Sequence, residues 1–446
     1  MASGLLTDLY ELNMVASYLR RGMTDTATFS LFVRKLPPDR GFLVTAGLDD
    51  CLTFLEGFRF TGPELDYLET LGLYGHDMLR YLEGMHFTGD VWAVPEGTVL
   101  FADEPILEVS APITEAQIVE TMLLNRVTFQ TAVATKAARC VLAAGRSRLV
   151  DFAFRRSQGI DAAMSVARAS AIAGFFATSN IEAARRYGLR PVGTMAHSYV
   201  QAFGDDEAAF AAFAADLPGV NTFLVDTYDT LDGVRAAIAV ARRTRLPGRI
   251  AVRLDSGDLA DLARQSRRML DEAGLHDAEI FASGGLDEHA IAELVRQGAP
   301  IDLYAVGTKV GVSADAPSLN SAYKLVDYGG RPVMKLSTGK INAPGAKQVF
   351  RGQTGDMIGL RDEPAPPGHY PLLVPVMAAG RRLTAPEPIT AMRDRCADGL
   401  ARLPASARVL RDPQPIKARY SERLALLTRR TREEIQVKMT ADQPTM

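Results

Sequence analysis

The middle of this chain alternates between short apolar runs and amphipathic helical stretches, and that alternation constrains the fold more than any other feature. Between residues 146 and 340 the apolar runs are RLVDFAF, RPVGTMA, NTFLV, RIAVRL, AEIFAS and IDLYAV. Helical patterns such as LDGVRAAIAVARRTR and LDEHAIAELVRQG lie between them. Strand and helix alternating at this spacing predict βα units with parallel strands. The period does not separate an open sheet from a barrel, but the number of units favours a barrel, complete or incomplete.

The regions on either side of this segment do not show the regular alternation of strand and helix patterns. The first 135 residues mix helical and strand signals, with a helical LLTDLYELNMVASYLRRG before a strand-like ATFSLFVRKLP. After residue 345 the chain is rich in Pro and Arg and has too few apolar residues for a large core of its own. We therefore expect two domains: an α/β barrel over residues 136–344, and an α+β domain over residues 1–135 that the tail 345–446 joins.

Composition argues against several classes of partner. The 446 residues carry a net charge of −3, which gives no overall attraction to nucleic acid or to an anionic membrane. No apolar stretch approaches the roughly 20 residues that span a bilayer, and the N-terminus lacks the basic segment of a signal peptide. Cys51, Cys140 and Cys396 are too far apart to form a metal cluster or a disulfide framework. We expect a cytoplasmic protein with reduced thiols.

Nearly every apolar run is followed by a cluster of polar or glycine residues. In a parallel α/β fold the carboxyl ends of the strands meet at one rim, so we expect these clusters to form one active site. The candidates from this pattern are Arg155, Arg156, His197, Asp226, Arg253, Asp255, Ser283, Gly284, Gly285, Gly307 and Thr308.

Each cluster has a purely structural interpretation as well as a functional one. The Arg155-Arg156 pair suits a carboxylate or a phosphate, or else forms a surface salt bridge. The glycines at 284, 285 and 307 let a phosphate approach backbone N–H groups, or else form ordinary turns. The Asp255-to-Asp258 segment suits sugar hydroxyls or hydrated Mg²⁺, or else supplies a helix N-cap.

His197 is the one histidine that follows a predicted strand. A lone histidine is more often structural than catalytic, but this one shares the predicted rim with acids, an arginine and glycine loops. Asp226 is a candidate to orient it. The sequence has neither a GxxxxGK[ST] phosphate loop nor a GxGxxG fingerprint, so a nucleotide would not be held in either of those ways.

Taken together, the motifs of this chain resemble those of nicotinate phosphoribosyltransferases. The resemblance covers roughly residues 5 to 350, in order and in spacing. It is carried by TDLYELNM at 7–14, FRRSQG at 154–159, ATSN at 177–180, GTMAHSYVQ at 193–201, VDTYDT at 225–230, RLDSGDL at 253–259, SGGLDE at 283–288 and VGTK at 306–309.

The resemblance implies a type II phosphoribosyltransferase: an irregular, incomplete α/β barrel plus an α+β domain, assembled as a homodimer with shared active sites. Its substrates would be nicotinate, 5-phosphoribosyl 1-pyrophosphate and ATP, with Mg²⁺ as cofactor and metal ligands that the motifs leave unassigned. The products would be nicotinate mononucleotide, pyrophosphate, ADP and phosphate, formed through a phosphohistidine on His197 in a salvage route to NAD.

The same resemblance implies roles for single residues. Phe152 and Tyr10 would sandwich the pyridine ring, with Tyr10 supplied by the neighbouring subunit. Arg155 would bind substrate, although a shift to Arg156 stays open. The ribose and pyridine would contact Arg253 and Asp255. The phosphates would be bound by Ser283, Gly284, Gly285, Gly307 and Thr308.

Ser179 bears on the choice of substrate. The resemblance implies an aspartate at this position in enzymes that use nicotinamide. An aspartate would accept a hydrogen bond from an amide but repel a carboxylate, whereas serine can donate to a carboxylate. The sequence therefore favours nicotinate. Enzymes for nicotinamide or quinolinate, and a non-catalytic nucleotide-binding relative, remain the alternatives. A degenerate relative should have lost His197, Arg253 or Asp255, and this chain keeps all three.

Overall fold

The computed structural model describes residues 3–244, 248–337, 342–353 and 355–441. Its helices are α1 Leu9–Arg20, α2 Leu48–Gly57, α3 Gly62–Thr70, α4 His76–Glu83, α5 Ile113–Ile118, α6 Glu120–Ala144, α7 Ile160–Ala173, α8 Ile181–Tyr187, α9 His197–Phe203, α10 Asp206–Asp216, α11 Thr230–Thr244, α12 Leu259–Glu272, α13 Glu288–Arg296, α14 Thr308–Gly311, α15 Ile389–Arg402, α16 Ala405–Arg408 and α17 Glu422–Ala441, with a 3₁₀ turn at Phe154–Arg156.

The strands are β1 Thr26–Val33, β2 Leu43–Val44, β3 Asp90–Ala93, β4 Val99–Leu100, β5 Pro105–Pro112, β6 Arg148–Asp151, β7 Ala177–Thr178, β8 Thr222–Leu224, β9 Ala251–Leu254, β10 Glu279–Ala282, β11 Leu303–Val306, β12 Ser321–Tyr328, β13 Arg331–Pro332, β14 Lys347–Arg351, β15 Asp356–Leu360, β16 Tyr370–Pro371, β17 Val374–Ala378, β18 Arg381–Arg382 and β19 Arg419–Tyr420. No helix among the described residues is both long enough and apolar enough to cross a membrane.

The chain divides into two compact units. The first contains the residues before Val133 and after Pro317, and the second contains Val133–Pro317. In the described part of the second unit the strands form one sheet in the order β7-β6-β11-β10-β9-β8. Every pairing in that sheet is parallel, and β7 and β8 remain as edges, so the sheet does not close. The predicted incomplete α/β barrel is confirmed.

The first unit is an α+β fold with an antiparallel sheet. Its order is β13-β12-β1-β5-β3-β17-β18, so strands from both ends of the chain lie side by side. Leu372, Leu373 and Met377 from the tail share one apolar core with N-terminal residues such as Val91 and Leu107. The expectation that the tail joins the N-terminal region is therefore confirmed, because the tail contributes strands rather than a core of its own.

The structure differs from the sequence pattern at two places. β12 lies within the range 136–344 that the pattern grouped with the barrel, yet it pairs antiparallel with β1 from Ala27 to Val33. The run at 190–196 forms no strand and contributes only an isolated bridge between Thr178 and Pro191. Thr178 pairs there with the Arg190 carbonyl and the Val192 N–H, whereas Pro191 has no N–H with which a further strand could pair on its other side. His197 consequently follows a loop and begins α9, and does not follow a strand as predicted.

Candidate active site

Most of the candidate residues lie at one rim of the parallel sheet in the second unit. Phe152 follows β6, Asp255 follows β9, Ser283 follows β10 and Gly307 follows β11. Because these strands are parallel neighbours, their carboxyl ends face the same edge. Tyr10, by contrast, lies near the start of α1 in the first unit and is 47% exposed.

Arg253 links several parts of this rim. It is buried in β9, and its Nε donates to Ser283 Oγ at 2.8 Å. Its terminal nitrogens donate to Asp255 Oδ1 at 2.8 Å and to Thr194 Oγ1 at 3.1 Å. The guanidinium carbon also lies 5.2 Å from the centre of the Phe152 ring, within range for a cation–π contact. One side chain therefore connects the aromatic end of the rim to the loop at Ser283.

Asp255 is held in its ionised form. It accepts hydrogen bonds from Ser283 Oγ and from Arg253. Burial alone would raise its pKa, but these hydrogen bonds and the nearby charges of Arg253 and His197 outweigh burial and lower the pKa below its ordinary value. The rim therefore carries a fixed negative charge at neutral pH, beside the half-exposed His197.

Asp226 braces the turn that carries Asp255. Its Oδ2 accepts from the Asp255 backbone N–H at 3.0 Å and from Ser256 Oγ at 2.7 Å. Its Oδ1 is buried and has no hydrogen-bond partner among the described residues. A buried carboxylate oxygen without a donor is costly unless a proton, a cation or a ligand meets it.

His197 is oriented by a residue that the sequence analysis did not single out. Its Nδ1 lies 3.1 Å from Thr227 Oγ1, one position beyond the Asp226 that was expected to orient it. Its Nε2 has no partner in the part of the chain that the structure describes. The ring is thus anchored through one nitrogen, which leaves the other for chemistry. The usable signal in the VDTYDT motif was the hydroxyl of Thr227, directly after the candidate acid Asp226.

Phe152 and Ser179 are brought together by Asp151. Asp151 Oδ1 accepts from the Ala153 N–H at 2.8 Å, and Oδ2 accepts from Thr178 Oγ1 at 2.7 Å. Its backbone carbonyl accepts from the Ser179 N–H at 2.8 Å. Burial raises the pKa of Asp151, and the two side-chain hydrogen bonds act against that shift. Sequence analysis missed Asp151, although an acid inside the apolar run RLVDFAF was a usable signal.

The arginine pair at 155–156 lies on the 3₁₀ turn that follows Phe152. Both side chains are exposed. They therefore border the end of the rim formed by Phe152 and Ser179, where they can meet an anionic group.

The glycine loops have the geometry that backbone approach requires. Gly284 has φ +90°, and a Cβ there would lie 1.9 Å from the Asp255 carbonyl oxygen. Gly285 also has a positive φ, +64°. At Gly307 a Cβ would lie 3.1 Å from the Phe152 carbonyl oxygen, and Thr308 begins α14 directly after it. A side chain at Gly284 is therefore excluded by both conformation and space.

Two family models match this chain. Residues 5–128 match the nicotinate phosphoribosyltransferase N-terminal domain, and residues 147–299 match the nicotinate phosphoribosyltransferase family. Together they span the helix with Tyr10 and the rim from Phe152 to Gly285.

Individual relatives agree with the family models. Nicotinate phosphoribosyltransferase pncB2 of Mycobacterium tuberculosis is 50% identical over 416 residues, covering 92% of this chain and 89% of the relative. Nicotinate phosphoribosyltransferase of Bacillus subtilis is 45% identical, covering 80% of this chain and 76% of the relative. The crystal structure of human nicotinic acid phosphoribosyltransferase matches with a TM-score of 0.84 and 28% identity, covering 95% of this chain and 99% of that one.

Proposed function

The chain belongs to the nicotinate phosphoribosyltransferase family, and on that premise we propose that it joins nicotinate to 5-phosphoribosyl 1-pyrophosphate in the salvage of NAD. The pyridine nitrogen attacks C1 of the ribose while the bond from C1 to the pyrophosphate oxygen breaks, and the electron pair leaves with pyrophosphate. The products are nicotinate mononucleotide and pyrophosphate. One observation carries this proposal: the family's motif residues converge on a single hydrogen-bonded rim around Arg253.

We assign the pyridine to the Phe152 end of this rim. The Phe152 ring is a flat apolar surface that forms a T-shaped pair with Phe281, 5.7 Å between ring centres. The Arg155 guanidinium pairs with the nicotinate carboxylate, and the Ser179 hydroxyl donates to it. Tyr10 of the partner subunit closes the opposite face of the ring in a homodimer, a role supported by its exposure on the first unit.

We assign the phosphates to the other end of the rim. The backbone N–H groups around Ser283, Gly284 and Gly285, with those of Gly307 and Thr308, cradle them. The ionised Asp255 stabilises positive charge as it develops on the ribose at C1. Arg253 holds Asp255 and Ser283 in place during that step.

Magnesium fits the donors at this site as a companion of the substrate phosphates. The described residues contain no ready group of three or more His, Cys, Asp or Glu ligands. The partnerless Asp226 Oδ1 is a hard oxygen donor, and Mg²⁺ commonly uses one or two carboxylates plus substrate phosphates. When bound, the ion neutralises charge on the leaving pyrophosphate.

ATP is the co-substrate in this proposal, and His197 is its phosphoryl acceptor. The Nε2 atom attacks the γ-phosphorus, the bond to the β,γ-bridging oxygen breaks, and ADP leaves. Water later hydrolyses phosphohistidine to phosphate. The anchoring of Nδ1 by Thr227 supports Nε2 as the reacting nitrogen. The enzyme works in the cytoplasm, a compartment in keeping with three buried free cysteines.

The test of substrate choice compares three pyridines. Purified protein receives 5-phosphoribosyl 1-pyrophosphate, Mg²⁺, ATP and nicotinate, nicotinamide or quinolinate, and mononucleotide is separated by chromatography. We expect nicotinate to exceed the other two by at least about tenfold in kcat/KM, since one misplaced charge costs more than 1.4 kcal/mol. Preference for nicotinamide would establish the main alternative, and no product from any pyridine would overturn the proposed enzyme.

A further inference from the structure

Two glycine loops emerge side by side from the parallel sheet. β10 and β11 are neighbours, with Phe281 opposite Leu303 and Ala282 opposite Tyr304. The first loop therefore runs from the end of β10 to α13, and the second from the end of β11 to α14. Both loops belong to the proposed phosphate end of the rim, so their spacing decides how well their N–H groups meet one substrate.

An ion pair spans these two loops. Lys309 Nζ, just after Gly307 and Thr308, lies 2.7 Å from Asp287 Oδ2 at the end of the first loop. Asp287 also caps α13, because its Oδ1 accepts from the Ala290 N–H at 2.9 Å. Burial opposes ionisation of Asp287, but the hydrogen bonds from Lys309 and the Ala290 N–H outweigh it and lower the pKa.

A second, deeper ionic layer supports the same two loops. Glu288 is fully buried, and its carboxylate lies 2.5 Å from Lys136 Nζ and 2.9 Å from Arg139 Nε. Lys136 also lies 3.0 Å from Asp315, which follows α14. The side chains on α6 therefore contact the residue after the first loop and a residue beyond the second.

We infer that the Lys309–Asp287 ion pair is a positioning device that sets the spacing of the two phosphate loops. This inference rests on the proposed function, since that function assigns the loops to the substrate. The Lys309 ammonium holds Asp287 in place, and Asp287 in turn fixes the end of the loop that carries Ser283 to Gly285. The alternative is that Lys309 is itself a phosphate ligand, as a lysine after a glycine loop would otherwise suggest.

A double-mutant cycle separates the two roles. Asp287→Asn keeps a good helix N-cap but removes the charge, and Lys309→Met keeps the aliphatic stem but removes the ammonium. If the pair positions the loops, each single variant and the double variant should weaken binding by the same factor. If Lys309 binds phosphate directly, Asp287→Asn frees the lysine and should leave binding unchanged or tighter.

The binding of 5-phosphoribosyl 1-pyrophosphate with Mg²⁺, in the absence of pyridine, is measured by calorimetry. We expect Kd to rise about threefold or more in Lys309→Met, Asp287→Asn and the double variant, with no further loss in the double. Lys309→Arg should restore binding to within about twofold of the wild type. Glu279→Gln is the matched control, because Glu279 pairs with Arg148 at 2.6 Å with similar partial exposure, at the first residues of the strands.

Steady-state kinetics provide a second readout. The KM for 5-phosphoribosyl 1-pyrophosphate should rise while the KM for nicotinate stays within about twofold, a split that general destabilisation would not produce. Asp287→Asn with wild-type affinity would overturn the inference, and so would additive losses in the double variant. If the wild type binds the sugar pyrophosphate but makes no product, the proposed function fails while the binding cycle still decides the role of Lys309. A wild type without binding overturns both.

Discussion

Single side chains in this rim are fixed by more than one partner, which is what a site for precise alignment requires. Arg253 uses its nitrogens on Ser283, Asp255 and Thr194 and covers the Phe152 ring. An arginine with every guanidinium nitrogen engaged loses little additional freedom when a ligand binds beside it. Arg253 therefore fixes the side chains around it, and Arg253→Lys would keep the charge but lose the planar guanidinium that donates in several directions.

Ser179 gives the residue-scale prediction. Ser179→Asp places a carboxylate beside the proposed nicotinate carboxylate, and the like charges repel. We expect the ratio of kcat/KM for nicotinate to that for nicotinamide to fall by about tenfold or more, corresponding to roughly 1.4 kcal/mol. Ser179→Ala is the control, since it removes the hydroxyl without adding charge. An unchanged ratio in Ser179→Asp would show that Ser179 does not contact the pyridine carboxylate.

For single residues, the sequence predicted which side chains share the rim better than it predicted the hydrogen bonds between them. Arg253, Asp255 and Ser283 were predicted to share one rim, and the structure joins them by hydrogen bonds. Thr227 and Asp151 were missed. Both residues stand in motifs that were recognised, VDTYDT and RLVDFAF, but their contacts depend on three-dimensional placement: a hydroxyl 3.1 Å from an imidazole, and an acid that bridges two strand ends.

Among elements, α1 is anchored to the start of α6 by a buried carboxylate. Glu11 Oε1 accepts from the Thr121 N–H at 3.1 Å and from its hydroxyl at 2.8 Å, and Glu11 also accepts from Thr7. The contact satisfies an N–H group that the first turn of α6 cannot satisfy internally. It also fixes the helix that carries Tyr10.

This contact predicts a pH-dependent stability. Burial raises the pKa of Glu11 to about 7, against an unfolded value of about 4.3. A raised pKa favours the protonated folded form, so the stabilisation is complete below about pH 4.3 and is lost as pH rises through about 7. We expect the unfolding free energy of the wild type, relative to Glu11→Gln, to fall by on the order of 2 kcal/mol between about pH 5 and 8.

The measurement is urea unfolding across that pH range, with Glu64→Gln as the control. The pKa of Glu64 is lowered, because hydrogen bonds from Ser3 and Thr61 outweigh burial. Its contribution is therefore lost only on acidification, and the Glu64→Gln difference should stay flat between about pH 5 and 8. A Glu11→Gln difference that is equally flat would contradict the raised pKa of Glu11.

The strands β6, β8, β9, β10 and β11 were predictable because each is a short apolar run bounded by polar residues. The run at 190–196 has the same apolar character but contains Pro191 and Gly193, and it makes only a bridge. The two-residue β7 was not predicted as a strand, since so short an element leaves no periodic signal.

For the whole molecule, the local pattern gave the class of each unit but not how distant segments pair. The return of the chain to the first unit after Pro317 depends on the pairing of β12 with β1, which are separated by almost three hundred residues of sequence. Such non-local pairing is determined by the burial of a whole face of each strand. One example is the stack of Phe29 on Tyr323, with 4.7 Å between ring centres. The sequence of either strand alone does not identify its partner.

The central claim is that the rim around His197 is the active site of an ATP-coupled nicotinate phosphoribosyltransferase. The most direct test measures nicotinate mononucleotide formation with and without ATP in the wild type, in His197→Ala and in His276→Ala, whose histidine is exposed on the surface. We predict that ATP stimulates the wild type and His276→Ala several-fold or more, and that His197→Ala is folded but not stimulated. Equal stimulation of His197→Ala by ATP would contradict the account.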